Sequence, residues 1–348
     1  MEIMGLGYSL GSKIVSNQDI LDRVRYYSQN EFEGDLDETL ASIKHYLEYS
    51  GAKSRRWLAE GEIPLNLTCD AIRRSLEQAH LSKDDIDLVI HVGVARAFLE
   101  PGQSFFIAQA MEFEKAQCFD VLEGCMSWTR GMWIAYNFIK NNAYKNVLIV
   151  NTEFCMMENG FINPSLFKFR KKENMYSQFA GLTVGDGTSA TILSKGDNRE
   201  WEFNFIAAPM YADLCNIPLD DNYNDFCVYS KKIGACGVYR FASWAWDMNE
   251  PAKKFATEMI LQKNIDDYSW VFPHGHSSKF SIDIAKELGY DVEKFKWNTF
   301  PTIGNLASAC IPVSIARGME SNEIRRGQRL LIWMQSSGFS FATVSFTL

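Results

Sequence analysis

The chain alternates short apolar runs with stretches whose apolar positions recur at helical spacing, and this pattern repeats. CDAIRRSLEQAHL (69–81) has the spacing of a helix, and KDDIDLVIHVG (83–93) follows as an acidic turn and a buried strand. The same pair returns as AKKFATEMILQ (252–262) and KNIDDYSWVFPHG (263–275). Next, residues 116–153 read as strand, short loop, apolar helix and strand. Residues 296–338 read in the same order, at an offset of roughly 180 residues.

Strands that alternate with helices predict an α/β fold, with VLIV and LLIW as strands buried on both faces. MSWTRGMWIAYNFI (126–139) and ASACIPVSIARGM (307–319) are apolar nearly all round, which predicts helices buried between two layers. One such helix per half gives a duplicated, five-layered αβαβα architecture. Gly185 and Gly187 predict a tight turn into the last strand of the first half. The polar loop SKGDN (194–198) sets the expected boundary, giving halves 1–197 and 198–348.

Composition removes several alternatives. The 348 residues carry a net charge of −8, so nucleic acid is not an expected partner. No window has the apolar length of a membrane span. MEIMGLGYSLGSK lacks the cationic-then-apolar order of a signal peptide, so a cytoplasmic chain is expected. The eight cysteines (69, 118, 125, 155, 215, 227, 236, 310) include no CxxC pair, and the chain has only five histidines. No metal site is therefore expected, and most cysteines read as buried free thiols of a reducing compartment.

Cys125 stands between a strand and the first buried helix. A helix N-terminus offers partial positive charge and free N–H groups that favour a thiolate, which suits a nucleophile; the alternative is an inert core thiol. At the equivalent place in the second half is Asn305. It either caps a helix or holds a water or carbonyl oxygen beside the thiol. His274 closes the strand SWVFPH and is the natural base or hydrogen-bond donor, although spacing alone leaves His274 and His276 open.

Six segments in order, spread over essentially the whole length, resemble the β-ketoacyl-acyl-carrier-protein synthase III family of the thiolase superfamily. They are GLGYSLGSKIVSNQDI, GAKSRR, FDVLEGCMSW, FAGLTVGDGTSATIL, WVFPHGHSSKF and IGNLASACIPVSI. The resemblance implies a thiolase fold and a triad of Cys125, His274 and Asn305. Cys125 would take an acyl group as a thioester, and His274 and Asn305 would stabilise the enolate oxygen of a second substrate. His274 takes precedence over His276 because it matches the family's first motif position. The implied oxyanion hole is made by the backbone N–H groups of Cys125 and of Ser337, in the turn SSGF. Side chains at Ser336 and Ser337, where the family has glycines, narrow the cleft.

The implied activity is acyl transfer from coenzyme A or acyl carrier protein to Cys125, followed by Claisen condensation with a malonyl or β-ketoacyl thioester. The setting would be fatty-acid or specialised-metabolite (polyketide-like) biosynthesis. Transfer to an oxygen or nitrogen nucleophile, or a non-catalytic partner subunit of a heteromeric ketosynthase, are the alternatives. No permanently bound cofactor is expected; coenzyme A or phosphopantetheine thioesters are the substrates. A homodimer is expected, with a heterodimer as the alternative.

Some positions depart from the family pattern. Ser277 replaces an Asn. The Arg and Trp that clamp adenine are missing, and His45 and Tyr49 fall near their places. Glu100, in AFLEPGQS, resembles the glutamate of head-to-head condensing enzymes of olefin biosynthesis, which reaches into the neighbouring subunit's site as a base; otherwise it is a solvated loop carboxylate. Glu123 either pairs with Arg130 or shapes the pocket. Trp128 and Trp133 are read as core.

Overall fold

The computed structural model describes residues 1–158, 160, 162–196, 201–218, 241–296 and 299–348. β1 (Glu2–Leu10) leads through β2 (Lys13–Ser16), α1 (Asn17–Ser28), α2 (Leu36–Ser50) and β3 (Ser54–Trp57) into α3 (Pro64–Ala79). Then come β4 (Leu88–Val92), α4 (Gln103–Ala110), β5 (Gln117–Val121), α5 (Ser127–Lys140), β6 (Asn146–Glu153) and β7 (Gly187–Ser194). The rest of the chain gives β8 (Glu202–Ala207), the two-residue strands β9 (Cys215–Asn216) and β10 (Ala242–Ser243), and α6 (Ala245–Leu261). After these come β11 (Trp270–Pro273), α7 (Ser278–Glu287), α8 (Cys310–Glu320), β12 (Arg329–Ser336) and β13 (Ser340–Thr347).

Two sheets carry the fold. The first has the order β1-β7-β6-β4-β5, the second β11-β12-β13-β8. Aligned by position, β8, β13, β12 and β11 repeat β1, β7, β6 and β4. The directions also agree: antiparallel, antiparallel, then parallel. Among the described residues, the counterpart of β5 shows one parallel bridge, between Val271 and Phe295, and Phe300–Ile303 is a helical turn. Trp297 and Asn298, within that expected strand, lie outside the described residues, as does the expected boundary at 197/198.

Five layers follow from which faces are apolar. Trp128, Met132, Ala135 and Ile139 of α5 and Ile311, Ile315 and Ala316 of α8 share one core with the inner faces of both sheets. Ala71, Ile72 and Leu76 of α3 and Ile107 and Ala108 of α4 cover the outer face of the first sheet. Ala256, Met259 and Ile260 of α6 and Ile284 and Ala285 of α7 cover the second. The predicted αβαβα order is what these faces require. Trp133 departs from expectation. Trp128 is core, with its indole N–H donating to Thr191 Oγ1 at 3.0 Å, whereas Trp133 is 40% exposed. It packs at the edge of the second sheet, against Phe205 of β8 and the Arg130 guanidinium.

Candidate active site

Cys125 sits in a tight turn, Gly124–Met126, that joins β5 to α5. Gly124 has φ +54, and a Cβ there would lie 2.1 Å from Ser337 Oγ and 2.8 Å from Ser336 Oγ. Only glycine fits this left-handed position against those hydroxyls. Ser336 Oγ accepts from Met126 N at 3.1 Å and donates to Glu123 O at 2.9 Å. The serine expected only to narrow the cleft thus fastens the Cys125 turn to the end of β12. Ser127 Oγ accepts from Glu123 N and donates to Gly124 O, closing the turn from the other side.

His274 follows β11, and its N–H donates to Trp333 O at 3.0 Å. The His274 and His276 rings lie 5.2 Å apart, and neither Nδ1 has a partner among the described residues. Burial lowers both imidazoles, His274 well below its usual range and His276 to about 4, so both are neutral near pH 7. Ser277 caps α7, its Oγ accepting from Phe280 N at 3.5 Å, which gives the residue in place of the family's Asn a local structural task.

Asn305 is held by its backbone against the Gly185 turn: its N–H donates to Thr183 O at 2.9 Å, and its carbonyl accepts from Gly185 N at 3.0 Å. Its side-chain Oδ1 accepts from Ala307 N at 2.9 Å and from the Cys310 thiol at 3.4 Å. The amide N–H2 is left as the available donor. Cys310 Sγ also lies 3.8 Å from Gly275 O, next to His274. The turn 307–309 packs on the turn 124–126. Cys125, His274 and Asn305 therefore come from three separate elements to one place, with Cys310 between the last two.

One expectation is corrected. The start of α5 does not leave Cys125 with a lowered pKa: burial pushes its thiol well above the ordinary range, and the nearby Cys215, Cys310 and Glu153 push the same way. The resting site pairs a neutral thiol with neutral imidazoles.

Glu100 is exposed on the loop between β4 and α4, beside Leu99, which is 72% exposed. No hydrogen bond or ion pair joins it to Cys125, His274 or Asn305 of the same chain among the described residues. Asp120 anchors the loop's end through Gln103 N and Ser104 N, at 2.9 and 3.0 Å. Glu123 forms a bidentate pair with Arg130, at 2.6 and 3.0 Å, and the guanidinium lies 3.9 Å from the Phe205 ring centroid. Of the two readings of Glu123, the pairing is the one present. His45 and Tyr49 stack at 6.4 Å on α2, and Lys279 of α7 lies 5.6 Å from the Tyr49 ring.

Sequence reasoning missed Glu153 and Ser308. Glu153 closes β6 fully buried, accepting from Ser308 Oγ, and Ser308 comes from the turn after Asn305. A carboxylate ending the apolar run VLIVNTE was the available signal.

Residues 119–213 match the family model for 3-oxoacyl-[acyl-carrier-protein (ACP)] synthase III, and residues 261–348 match the model for its C-terminal part, together more than half of the chain. β-Ketoacyl-[acyl-carrier-protein] synthase III of Neisseria gonorrhoeae is 26% identical, the match covering 99% of this chain and 98% of that one. The Clostridium acetobutylicum protein of the same name is 25% identical, over 99% and 97%. Among solved structures, the synthase III of Aquifex aeolicus superposes with a TM-score of 0.78 at 18% identity, over 100% and 99% of the two chains. A cysteine-to-serine variant of Xanthomonas campestris OleA with bound lauric acid and lauroyl-CoA gives 0.81 at 17%, over 99% and 98%.

Proposed function

The chain belongs to the 3-oxoacyl-[acyl-carrier-protein] synthase III family, and on that premise we propose that it is a condensing acyltransferase with Cys125 as the acyl carrier. The observation that carries this reading is the meeting of the Cys125 turn, the Asn305 turn and His274 around Cys310. An acyl thioester of coenzyme A or acyl carrier protein is the donor. The Cys125 sulfur attacks its carbonyl, the neutral His274 is the available base for the thiol proton, and the donor thiol leaves carrying a proton. Backbone N–H groups of Cys125 and Ser337 face the developing oxyanion.

In the second half-reaction the α-carbon of a malonyl or β-ketoacyl thioester attacks the acyl-enzyme and Cys125 leaves. A malonyl group supplies its carbanion by losing CO2. A substrate without that carboxylate must lose an α-proton to a base, the role we assign to Glu100 of a second copy. The Nδ2 of Asn305 and the imidazole of His274 donate to the enolate oxygen. Because Asn305 Oδ1 is already occupied, its side chain can only donate.

Support for a homodimer comes from exposed apolar side chains, Phe98 (43%), Leu99 (72%), Leu122 (61%) and Trp133 (40%), together with β5 standing at the edge of its sheet. His45, Tyr49 and Lys279 are the residues we assign to the donor's nucleotide arm. The matching strand orders support two fused halves, 1–197 and 198–348. The six described cysteines are all free, as suits the cytoplasm.

Intact-mass spectrometry after incubation with a panel of acyl-CoA and acyl-carrier-protein thioesters tests the reading. A covalent adduct is expected in the parent chain and absent in Cys125→Ser. No adduct with any donor, in a folded chain, would favour the non-catalytic partner subunit.

A further inference from the structure

One buried acid lies outside the proposed triad and touches two of the segments that build the site. Glu153 ends β6 with no exposed surface. Its Oε1 accepts from Val94 N and Ser308 N, both at 3.2 Å, and from Ser308 Oγ; its Oε2 accepts from Val94 N at 3.2 Å and Ala95 N at 3.4 Å. Val94 and Ala95 open the loop that carries Glu100, and Ser308 stands three residues after Asn305. Gly93, at φ +129, lets the carboxylate in, because a Cβ there would lie 2.8 Å from Oε1. Ser308 Oγ in turn accepts from Asn151 Nδ2 at 2.8 Å.

We propose that Glu153 is a positioning residue for condensation: its carboxylate holds the Glu100 loop and the Asn305 turn in one register behind Cys125. This rests on the condensing reading above. Every group directed at the carboxylate is a donor. No lysine or arginine is bonded to it among the described residues, so its charge is met by N–H and O–H groups alone. Three thiols face it, Cys125 from the turn before α5, Cys155 from the segment after β6 and Cys310 from α8, and the carboxylate raises all three. The cation on the loop it holds, Arg96, is directed to Gly93 O at 3.2 Å and to Asp120. Burial lifts Glu153 itself to about 7 against the pull of its donors. A proton on Oε2 sets a donor against Val94 N and Ala95 N, and one on Oε1 can be met only if Ser308 Oγ turns from donor to acceptor while Ser308 N still faces that oxygen, so either way one side of the tie weakens. Condensation should therefore rise as pH passes through about 7.

Glu153→Gln presents the same conflict permanently, since its N–H2 faces donors, while Glu153→Asp keeps the charge on a shorter arm. Hydrogen exchange in the intact protein tests the tie without reference to activity. In Glu153→Gln, exchange at Val94, Ala95 and Ser308 should rise together, on the order of tenfold. A rise at only one segment, or at neither, would overturn the proposal. In kinetics, the variant should load Cys125 at close to the parent rate but condense at least about tenfold more slowly, with the limb near pH 7 gone and partly restored in Glu153→Asp. Equal losses in both half-reactions with an unchanged pH profile would mark a residue that merely stabilises the fold. If the parent chain itself fails to load Cys125, the condensing reading falls, and the exchange result still decides whether Glu153 couples the two segments.

Discussion

Gly124→Ala puts the geometry of the Cys125 turn under direct test. The added methyl must occupy a left-handed backbone position, which costs about 1–2 kcal/mol. It also meets Ser337 Oγ at 2.1 Å, so the turn 336–338 must retreat. Retreat breaks the hydrogen bonds of Ser336 Oγ to Met126 N and Glu123 O, worth about 1 kcal/mol each. The summed loss is about 3–4 kcal/mol, read as a fall of several degrees in the melting temperature. The chemical loss should be larger in proportion, because the movement separates the backbone donors of Cys125 and Ser337. Loss of one such donor slows acyl transfer on the order of 10²-fold. The assay is the rate of Cys125 acylation by time-resolved intact mass, run beside calorimetry. Gly124→Ala combined with Ser337→Gly separates the causes. It removes the nearest clash but not the backbone cost, so acylation should recover in part while about 1–2 kcal/mol of the loss in stability remains. Parent-like acylation and melting in Gly124→Ala alone would refute the account of this turn.

Three further outcomes are expected. Glu100→Gln should still load Cys125 but lose carbon–carbon bond formation with substrates that have no carboxylate to shed; unchanged condensation would remove Glu100 from the mechanism. Leu122→Asp with Trp133→Asp should convert a dimer to monomers in light scattering, and a persistent dimer would place the interface elsewhere. Asp186, which among the described residues accepts from Met156 N and Leu58 N, is lifted by burial to about 7. Between about pH 4 and that value the folded chain keeps a proton that the unfolded chain releases, so this group's contribution to stability falls as pH rises through the window. Asp186→Asn should reduce that decline by one proton's worth relative to the parent, measured as melting temperature against pH. Parallel curves would show that Asp186 is not held protonated.

The architecture was legible in the sequence because both halves repeat one hydrophobic rhythm, and each buried strand or central helix shows it without reference to a partner. Among the residues of the proposed site, Cys125, His274 and Asn305 were reachable because each stands next to an element the rhythm defines. The direction of the Cys125 pKa was misread because a helix terminus is visible in sequence, whereas the density of side chains around a thiol is not. Glu153 was missed for a related reason: its donors come from residues 94, 95 and 308, which no local pattern brings together.

The hydroxyl of Ser336, shared between Met126 N and Glu123 O, bears on how such chains recombine. The proposed site is a seam, closed by Gly124 against Ser337 on one side and by Glu153 against Ser308 on the other. A chimera that exchanges the second half for that of a relative must bring matching residues at 308, 336 and 337, or change 124 and 153 to suit. Segments can be traded between relatives only in sets that respect those contacts, however similar the two folds are.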